Sequence, residues 1–530
     1  MKRKISLYLI VPILLIIYSC GTGRNVIATV SPYSFGIQNA TNGVERYEAL
    51  YKAHQYAVEH NLSVDYSGLD RIELVIPKNA KSIPLTPQTD FKGTVFHVLN
   101  TQKNMFLFEM GGSFQPIINI SPEEVDKKRY STEKLQKGIY LLCIKDKNPW
   151  VDNRKGYSYG ANRKDIILVK DGRGRNTPIS TYTTKSSSAQ FSYRLVDNKE
   201  KIFSNITLDR DARSTKMTQL VNIYCQNNIK IKNIKINTPE SNMYGEATIS
   251  VSSSTNVTFD NILINGTYSL KDKYGYGISM DNVWNVKCSK LVSKSNWGIW
   301  CCSNVQQVSL YDCDVNRFDV HCYGRDIACY NCIISGWGGQ YSSVYGNIIY
   351  DRCTFNSAPP YINRPDYNAY VDFNLYLTNC VFNATANKCS LVELRRIDSV
   401  VNGRDELKEK RLPNIYIKNL TVTIPDKVER FYLFKTDKEI TYKSGFGYLS
   451  EINIDGLTVR TNNGANSPYL VLSSHPMRLK KNFRCEIKKA ELVAWADSDK
   501  EVIRDWFDQS GYFVSNLSSY VATSIKVNGT

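Results

Sequence analysis

The sequence predicts an all-β protein, a single-stranded right-handed parallel β-helix of about nine or more coils with an N-terminal capping helix. One observation is a repeat of the form Asn-Φ-x-Φ-x-Asn-Φ-x-Φ, where Φ is apolar, at residues 228–236, 256–264 and 414–422. Alternating apolar residues form strands, and Asn favours turns. The other observation is that such units recur about every 20 to 30 residues with no helical pattern between them, which is typical of a solenoid.

The cysteines follow the same repeat. Four of the 14 Cys stand at one position of successive units, namely Cys313, Cys332, Cys353 and Cys380. In the flanking units this position is apolar, occupied by Ile234, Ile262, Leu291, Leu420 and Leu457. Because free Cys packs as a small hydrophobe, the pattern predicts a buried interior column. A disulfide framework, or a metal or redox pair at Cys329 and Cys332, is not expected.

The segments outside the repeats predict the ends of the solenoid. Residues 42–60 have helical apolar spacing and a capping box at Asn42 and Glu45, and His54 is expected in the core. We predict that this helix caps the β-helix. Residues 121–200 are polar and rich in lysine, which indicates a loop excursion or a small subdomain.

The N-terminus has the layout of an export signal. Lys2, Arg3 and Lys4 precede an apolar stretch over residues 5–17, and the ending before Cys20 resembles a bacterial lipoprotein processing site. We therefore expect a lipid on Cys20 and a periplasmic or cell-surface location. The predicted organisation is a signal peptide (1–19), an N-terminal cap and first coils with an irregular insertion (20–199), β-helix repeats (200–495) and a C-terminal cover (496–530).

The charge balance indicates an anionic partner. Lys and Arg number 67 against 50 Asp and Glu, a net charge of +17, and Tyr occurs 35 times. Export argues against nucleic acid, so the expected partner is an acidic polysaccharide, with tyrosine rings suited to sugar contacts. The membrane is contacted through the lipid, and we expect a monomer.

On these residues, the chain resembles the pectate-lyase-like superfamily of right-handed β-helix proteins, which holds polysaccharide lyases and glycoside hydrolases. It looks most similar to lipoprotein enzymes of gut-type bacteria that attack chondroitin sulfate, dermatan sulfate or hyaluronan. The resemblance covers most of residues 25–495 and implies polysaccharide degradation. Some β-helix lyases use calcium, but carboxylates are scattered over several coils here, so no cofactor and no metal is predicted and calcium stays open.

Each coil has a second predicted strand, and we expect its outward-facing residues to form a column that contains the catalytic residues. Alternation places residues such as Ile299 and Val320 inside. The neighbouring outward positions then align on consecutive coils about 4.8 Å apart, as Ser250, Ser279, Trp300, His321, Tyr345, Asp372 and Glu393. Asp281, Tyr323 and Arg395 flank this column on one side, and Asp319 and Tyr370 on the other.

This column suits β-elimination of a uronic acid. A cation neutralises the C5 carboxylate, a base takes the C5 proton, and an acid protonates O4. His321 is the predicted base, Arg325 or Arg395 the cation, and Tyr345 the acid, with Tyr323 as its alternative. Further substrate contacts are expected from Trp300, Tyr323, Arg317, Arg364 and Arg396.

Two other functions stay open at this point. Asp372 and Glu393 on adjacent coils would have carboxyl groups roughly 5–6 Å apart, as in a retaining glycoside hydrolase. Alternatively, Trp300, Trp337 and the tyrosine-rich residues 361–370 would bind a glycan without cleaving it.

Overall fold

The chain is described by a computed structural model over most of the repeats and the N-terminal cap. The described residues are 28–111, 117–126, 128–151, 161–178, 189–211, 216–239, 247–266, 269–270, 273–341, 344–356, 359–362, 372–385, 389–394, 413–425, 428, 430–436, 449–461, 469–473, 479–487, 490–493, 503–504, 520–522 and 525–528.

The N-terminal cap contains an 18-residue helix, α1 (Gly43–His60), as the sequence predicts. The Asn42 side chain accepts hydrogen bonds from the backbone N–H of Val44 and of Glu45, each 3.0 Å long, and satisfies two donors at the helix start. Glu45 Oε2 accepts from the Thr41 backbone N–H at 2.7 Å, and this bond lowers the pKa of Glu45. Two 3₁₀ turns precede the helix, at Pro32–Phe35 and Ile37–Asn39.

The helix covers the first coils. His54 is fully buried, with Nε2 2.6 Å from the Tyr66 hydroxyl and Nδ1 3.0 Å from the Pro84 carbonyl oxygen. Burial lowers the pKa of His54 to about 3, so the ring is neutral and belongs to the core, which confirms the expectation. The strands of this region are β1 (Thr29–Val30), β2 (Ser63–Val64), β3 (Arg71–Ile76), β4 (Ile83–Pro84), β5 (Gln88–Asp90), β6 (Val95–Thr101) and β7 (Met105–Gly111).

The described strands within residues 117–196 form an antiparallel sheet, which agrees with the small subdomain that the sequence indicates as one alternative to a loop excursion. Its strands lie in the order β11-β10-β9-β12-β8. They are β8 (Ile117–Ile120), β9 (Ile139–Val151), β10 (Ala161–Lys170), β11 (Arg173–Gly174) and β12 (Ala189–Val196), with a 3₁₀ turn at Pro122–Glu124.

Both faces of this sheet are apolar. Tyr140, Leu142 and Ile144 belong to the sheet's own core, whereas Leu141 packs in a cluster that also contains Trp284 of the β-helix. The high lysine content of the segment concealed this alternation. The sheet is therefore a small subdomain that docks on the β-helix.

The rest of the described chain is a parallel β-helix, so the predicted fold class is confirmed. In-register pairs include Ile206 with Ile234, Ile234 with Ile262, and Ile262 with Leu291. Its strands are β13 (Lys201–Arg210), β14 (Thr218–Tyr224), β15 (Asn227–Asn237), β16 (Ala247–Asn265), β19 (Tyr276–Ser293), β20 (Ile299–Tyr311), β21 (Asp314–Tyr330), β22 (Ile333–Tyr341), β23 (Val344–Asp351), β24 (Thr354–Asn356), β25 (Tyr361–Ile362), β26 (Asp372–Thr378), β27 (Val381–Asn383), β28 (Ser390–Leu394), β29 (Asn414–Ile424), β30 (Arg430–Thr436), β31 (Leu449–Thr461), β32 (Tyr469–Ser473), β33 (Leu479–Ile487), β34 (Ala490–Val493), β35 (Ile503–Arg504), β36 (Tyr520–Ala522) and β37 (Ile525–Asn528). Between β16 and β19, the short strands β17 (Ser269–Leu270) and β18 (Lys273–Tyr274) form a separate antiparallel pair.

The stack of coils extends beyond the repeats at both ends. On the N-terminal side, β13 pairs in parallel with β6, which pairs with β3. On the C-terminal side, β35, β36 and β37 pair in parallel with β32, β33 and β34. These last strands lie in the segment expected to be a cover, and they continue the coils there.

The asparagines of the repeat form the corners of the coils. Asn205, Asn233 and Asn261 have φ between 54° and 60°, the left-handed region that Asn tolerates better than most residues. The Asn233 amide donates to Asn205 Oδ1 at 2.8 Å, and the Asn261 amide donates to Asn233 Oδ1 at 2.9 Å. Each corner is thus hydrogen-bonded to the corner of the preceding coil, which explains why the repeat requires Asn.

The cysteine column lies inside the β-helix, as predicted. Cys313, Cys332, Cys353 and Cys380 are each at most 2% exposed, and the described cysteines are free thiols. The Cys332 thiol lies 3.3 Å from the Tyr330 carbonyl oxygen. Burial raises the pKa of the Cys288 and Cys301 thiols well above the usual range, so these groups pack as hydrophobes.

None of the helices in the described part of the chain is long and apolar enough to cross a membrane.

Candidate functional site

The outward column of the second strand differs from the predicted one after Trp300. Trp300 pairs with Asp319, and Asp319 pairs with Gln340, whereas His321 lies two residues further along β21. The structure pairs Ile299 with Phe318, whereas the predicted column would place Val320 opposite Ile299. Both Phe318 and Val320 are buried, so either residue is compatible with an interior position. A shift of two residues preserves the alternation, and the apolar pattern alone therefore did not exclude it.

Tyr345 and Asp372 belong to a different column from Trp300. Tyr345 pairs with Arg325 on one side and with Asp372 on the other. Glu393 pairs instead with Tyr361, which pairs with Gln340 in the column of Asp319. The arrangement of Asp372 and Glu393 as consecutive members of one column is therefore wrong, because strand spacing shortens in these coils and shifts the register.

A buried carboxylate joins the predicted base to new partners. Asp319 is fully buried, and its Oδ2 accepts hydrogen bonds from the Tyr276 hydroxyl at 2.6 Å and from His321 Nε2 at 2.8 Å. The Arg317 guanidinium donates to the same oxygen. Arg317 is 4% exposed and compensates the buried negative charge. We call Tyr276, Trp300, Arg317, Asp319 and His321 the Asp319 cluster.

Aromatic rings hold the cluster in place. Trp300 stacks on Tyr276 with ring centroids 5.0 Å apart and an interplanar angle of 18°. The same indole meets the His321 ring edge-to-face at 5.3 Å. The Arg317 guanidinium lies 5.8 Å from the Tyr276 ring centroid and 5.1 Å from that of Trp297, which are distances of cation–π contacts.

The turn before β20 brings these coils together. Gly298 has φ of +81°, and a Cβ there would collide with the Arg317 carbonyl oxygen. Asn296 Oδ1 accepts hydrogen bonds at 2.7 Å from the Gly298 N–H and from the Ser293 hydroxyl. Glycine at 298 therefore permits the close approach of the chain to Arg317.

Two buried N–H groups of the cluster, Arg317 Nε and Trp300 Nε1, have no hydrogen-bond acceptor among the described residues. A buried donor without an acceptor costs about 1 to 3 kcal/mol. Both residues contact the Tyr276 ring, so the donors belong to one neighbourhood. The cluster is thus suited to a ligand that supplies acceptor oxygens.

Arg325 lies at the contact between the β-helix and the subdomain. Its Nη1 donates to the Thr177 hydroxyl at 3.3 Å and to the Pro178 carbonyl oxygen at 3.2 Å. Gln306, its neighbour in the same column, donates to Asp165 at 3.2 Å. These contacts attach the small sheet to the β-helix, and they give Arg325 a docking role that the sequence did not suggest.

The remaining predicted residues are only partly described. Tyr345 is half-buried in the Arg325 column, and Glu393 Oε1 lies 3.3 Å from Lys435 Nζ. For Tyr323 and Asp372 the structure describes the backbone in β21 and β26. Five further residues named from the sequence lie outside the described ranges, namely Cys20, Arg364, Tyr370, Arg395 and Arg396.

Sequence reasoning missed Tyr276 and the central place of Asp319. Tyr276 precedes Asp319 by 43 residues and reaches it across two coils. Its position at the start of β19 is equivalent to that of Ala247 in β16, so the repeat itself carries no signal for it. The acidic residue two positions before His321 was the available signal.

Within the described residues, no group of three or more His, Cys, Asp or Glu side chains is placed to hold a metal ion. The prediction on calcium stays a prediction.

Comparison with known proteins finds similarity in structure alone. No protein-family model and no curated protein matches the chain. The tailspike gp61 of Pseudomonas phage phi297 superposes with a TM-score of 0.51 at 11% identity, covering 93% of this chain and 84% of the tailspike. Tailspike gp49 of Pseudomonas phage LKA1 gives 0.45 at 14% identity, covering 87% and 82%.

A third solved structure is the Gp54 tailspike of Acinetobacter baumannii bacteriophage AP22 in complex with a capsular saccharide. It gives a TM-score of 0.39 at 13% identity, covering 95% of this chain and 75% of that one. At such identities the likeness to the phi297 tailspike concerns the fold, and it agrees with the parallel β-helix described above.

Proposed function

We propose that the protein is a polysaccharide lyase that cleaves a uronic-acid-containing polysaccharide by β-elimination. The observation that carries this proposal is the hydrogen bond of 2.8 Å between His321 Nε2 and the buried carboxylate of Asp319. The same carboxylate binds Arg317, so a base and a cation stand side by side.

His321 is the proposed base. The Asp319 carboxylate fixes the imidazole ring through Nε2 and stabilises the positive charge that the ring gains on taking a proton. In the reaction, the ring accepts the C5 proton of the uronate, and the C4–O4 bond breaks to leave a double bond between C4 and C5. The fixed partner thus orients His321 for this step.

Arg317 is the proposed neutralising cation, in the place that the sequence suggested for Arg325 or Arg395. Its guanidinium lies in the cluster, and its Nε–H is a buried donor that a substrate carboxylate would satisfy. Trp300 offers a second N–H and an aromatic edge to the sugar. Tyr276 is the proposed donor of the proton to O4, because it is the tyrosine hydroxyl that contacts Asp319.

The test is the ultraviolet absorbance of an unsaturated uronide during incubation with chondroitin sulfate, dermatan sulfate, hyaluronan or a pectic polysaccharide. We expect the absorbance to rise with at least one of them. New reducing ends without this absorbance would contradict elimination and indicate hydrolysis. Binding without either signal would indicate a glycan-binding protein. Repeating the assay with a chelator tests whether the reaction needs calcium.

His321→Ala is expected to abolish turnover while the protein stays folded. Removing the ring removes the base, which contributes about 10²- to 10⁴-fold in comparable reactions. The matched control is His60→Ala, since His60 is exposed near the end of α1 and is bonded through Nδ1 to its own helix. Full activity of His321→Ala would remove this residue from the mechanism.

A further inference from the structure

A second aromatic surface runs along another face of the β-helix. Tyr311 pairs with Tyr330 on the next coil, and their rings stack at 5.1 Å with an angle of 14°. Tyr376 pairs with Tyr416, with rings at 4.9 Å and 14°. Ile349 pairs with Tyr376 and, on the preceding coil, with Ala328, so the aromatic positions shift by two residues along the strands between Tyr330 and Ile349. We call Tyr311, Tyr330, Ile349, Tyr376 and Tyr416 the tyrosine stripe.

The tyrosine stripe does not fill the interior of the coils. All five side chains are half-buried, whereas the residues beside them, such as Leu310, Cys329 and Leu375, are fully buried and supply the core. Apolar side chains on an outward face of a sheet stabilise the interior little. Five in succession indicate contact with another molecule.

The tyrosine stripe is separate from the Asp319 cluster. Between Trp300 and Tyr311 the chain turns two corners, at Asn304 and Gln307, which both have positive φ. The two surfaces therefore belong to different faces of the same coils. A ligand on the stripe leaves the cluster accessible.

The charges along the stripe favour an anionic ligand. Lys287 Nζ lies 5.2 Å from the centre of the Tyr311 ring, and exposed Lys418 follows Tyr416 on the same strand. Two carboxylates beside the stripe have partners, since Asp351 pairs with Arg352 at 2.7 Å and Glu451 accepts from the Tyr416 hydroxyl at 2.9 Å, and Asp455 lies opposite Lys418 on the next coil. Lysines at both ends thus flank an aromatic track.

We propose that the tyrosine stripe is a second binding surface for an acidic polysaccharide, running obliquely across five consecutive coils of the β-helix. The chemical class of this ligand rests on the proposed function. Coils repeat about every 4.8 Å, so a linear polymer that crosses the coils obliquely, with a shift of two residues between Tyr330 and Ile349, meets an aromatic or apolar group on each of the five coils. The C–H faces of the sugars contact the rings, and the lysines pair with carboxylate or sulfate groups. Such a surface retains a polymer while a neighbouring part of it is cleaved.

The experiment uses affinity electrophoresis in gels containing chondroitin sulfate, hyaluronan or pectate, with His321→Ala as the parent to prevent cleavage. We expect the added pair Tyr330→Ala and Tyr376→Ala to weaken retention about tenfold or more. The pair Tyr330→Phe and Tyr376→Phe retains the rings and should bind like the parent. Unfolding midpoints of both pairs separate loss of binding from loss of folding.

Three results would overturn the proposal: equal retention of the alanine pair and the parent, no retention of the parent by any acidic glycan, or equal retention by neutral dextran. Turnover is measured separately, with the tyrosine substitutions made in the wild-type protein, which retains His321. Cleavage without stripe-dependent retention leaves the lyase proposal standing and removes the stripe. Stripe-dependent retention without cleavage supports the stripe as a binding surface and contradicts the lyase proposal.

Discussion

Two buried histidines of this protein have different partners. His54 under the capping helix contacts a tyrosine hydroxyl and a backbone carbonyl oxygen, both neutral. His321 contacts the carboxylate of Asp319, which also binds Arg317. Both rings are at most 7% exposed, so burial does not distinguish them.

The two environments differ in the charge of the groups that face a protonated imidazole ring. Around His54 the described hydrogen-bond partners are neutral, and burial outweighs the Pro84 carbonyl oxygen and holds the ring neutral. Around His321 a carboxylate is fixed at hydrogen-bond distance and balances the charge that a proton brings. A buried histidine with neutral partners is thus a packing residue, and one bonded to a charged pair is a candidate for chemistry.

Removing the carboxylate should have the largest effect on stability. Asp319→Ala leaves the buried Arg317 cation without its partner, and we expect a loss of about 3 to 5 kcal/mol in the free energy of unfolding. Urea denaturation of the wild type and the variant measures it. Turnover should fall as well, because His321 loses its fixed partner.

The control for this experiment is Asp319→Asn, which keeps the shape and can accept hydrogen bonds. We expect it to be destabilised less than Asp319→Ala. If the two variants and the wild type unfold at the same urea concentration, the carboxylate does not hold the cluster, and the distinction between the two histidines loses its basis.

The sequence predicted the fold better than the site for a physical reason. Interior positions are apolar on every coil, so Cys313 and Leu291 can be recognised from the sequence as equivalent positions although the residues differ. The outward column changes from Ser279 to Trp300 to Asp319, and no residue there identifies its neighbour on the next coil. Trp300 and His321 were found by residue type. Tyr276 was missed because the contact depends on register.

The pH dependence of stability should reveal His54. Its folded pKa of about 3 lies below the value of about 6.5 in an unfolded chain, so the unfolded state alone takes up the proton between these values. Stability is therefore complete above pH 6.5 and is lost as the pH falls. From pH 6.5 to 5 we expect a loss of about 2 kcal/mol from this group, measured as urea midpoints.

His54→Leu serves as the matched variant, since it removes the titrating group and keeps an apolar side chain under the helix. The difference in unfolding free energy between wild type and variant should shrink or change sign steadily as the pH falls through this window. A difference independent of pH would show that His54 takes up a proton in the folded state, against the neutral environment assigned to it.

The asparagine corners are a third environment, in which the polar side chains are neutral and each is hydrogen-bonded to the equivalent asparagine of the neighbouring coil. Asn233→Ala removes two amide hydrogen bonds and places Ala at a φ of 54°. We expect a loss of about 1.5 kcal/mol, mostly from the left-handed backbone. Asn233→Gly loses the same hydrogen bonds but accepts this φ, so its loss should be about 0.5 kcal/mol. Chemical denaturation of both variants separates the two contributions. Equal losses in the Ala and Gly variants would assign the effect to the hydrogen bonds, and the asparagine corners would then depend on side-chain contacts, as the Asp319 cluster does, rather than on the left-handed backbone.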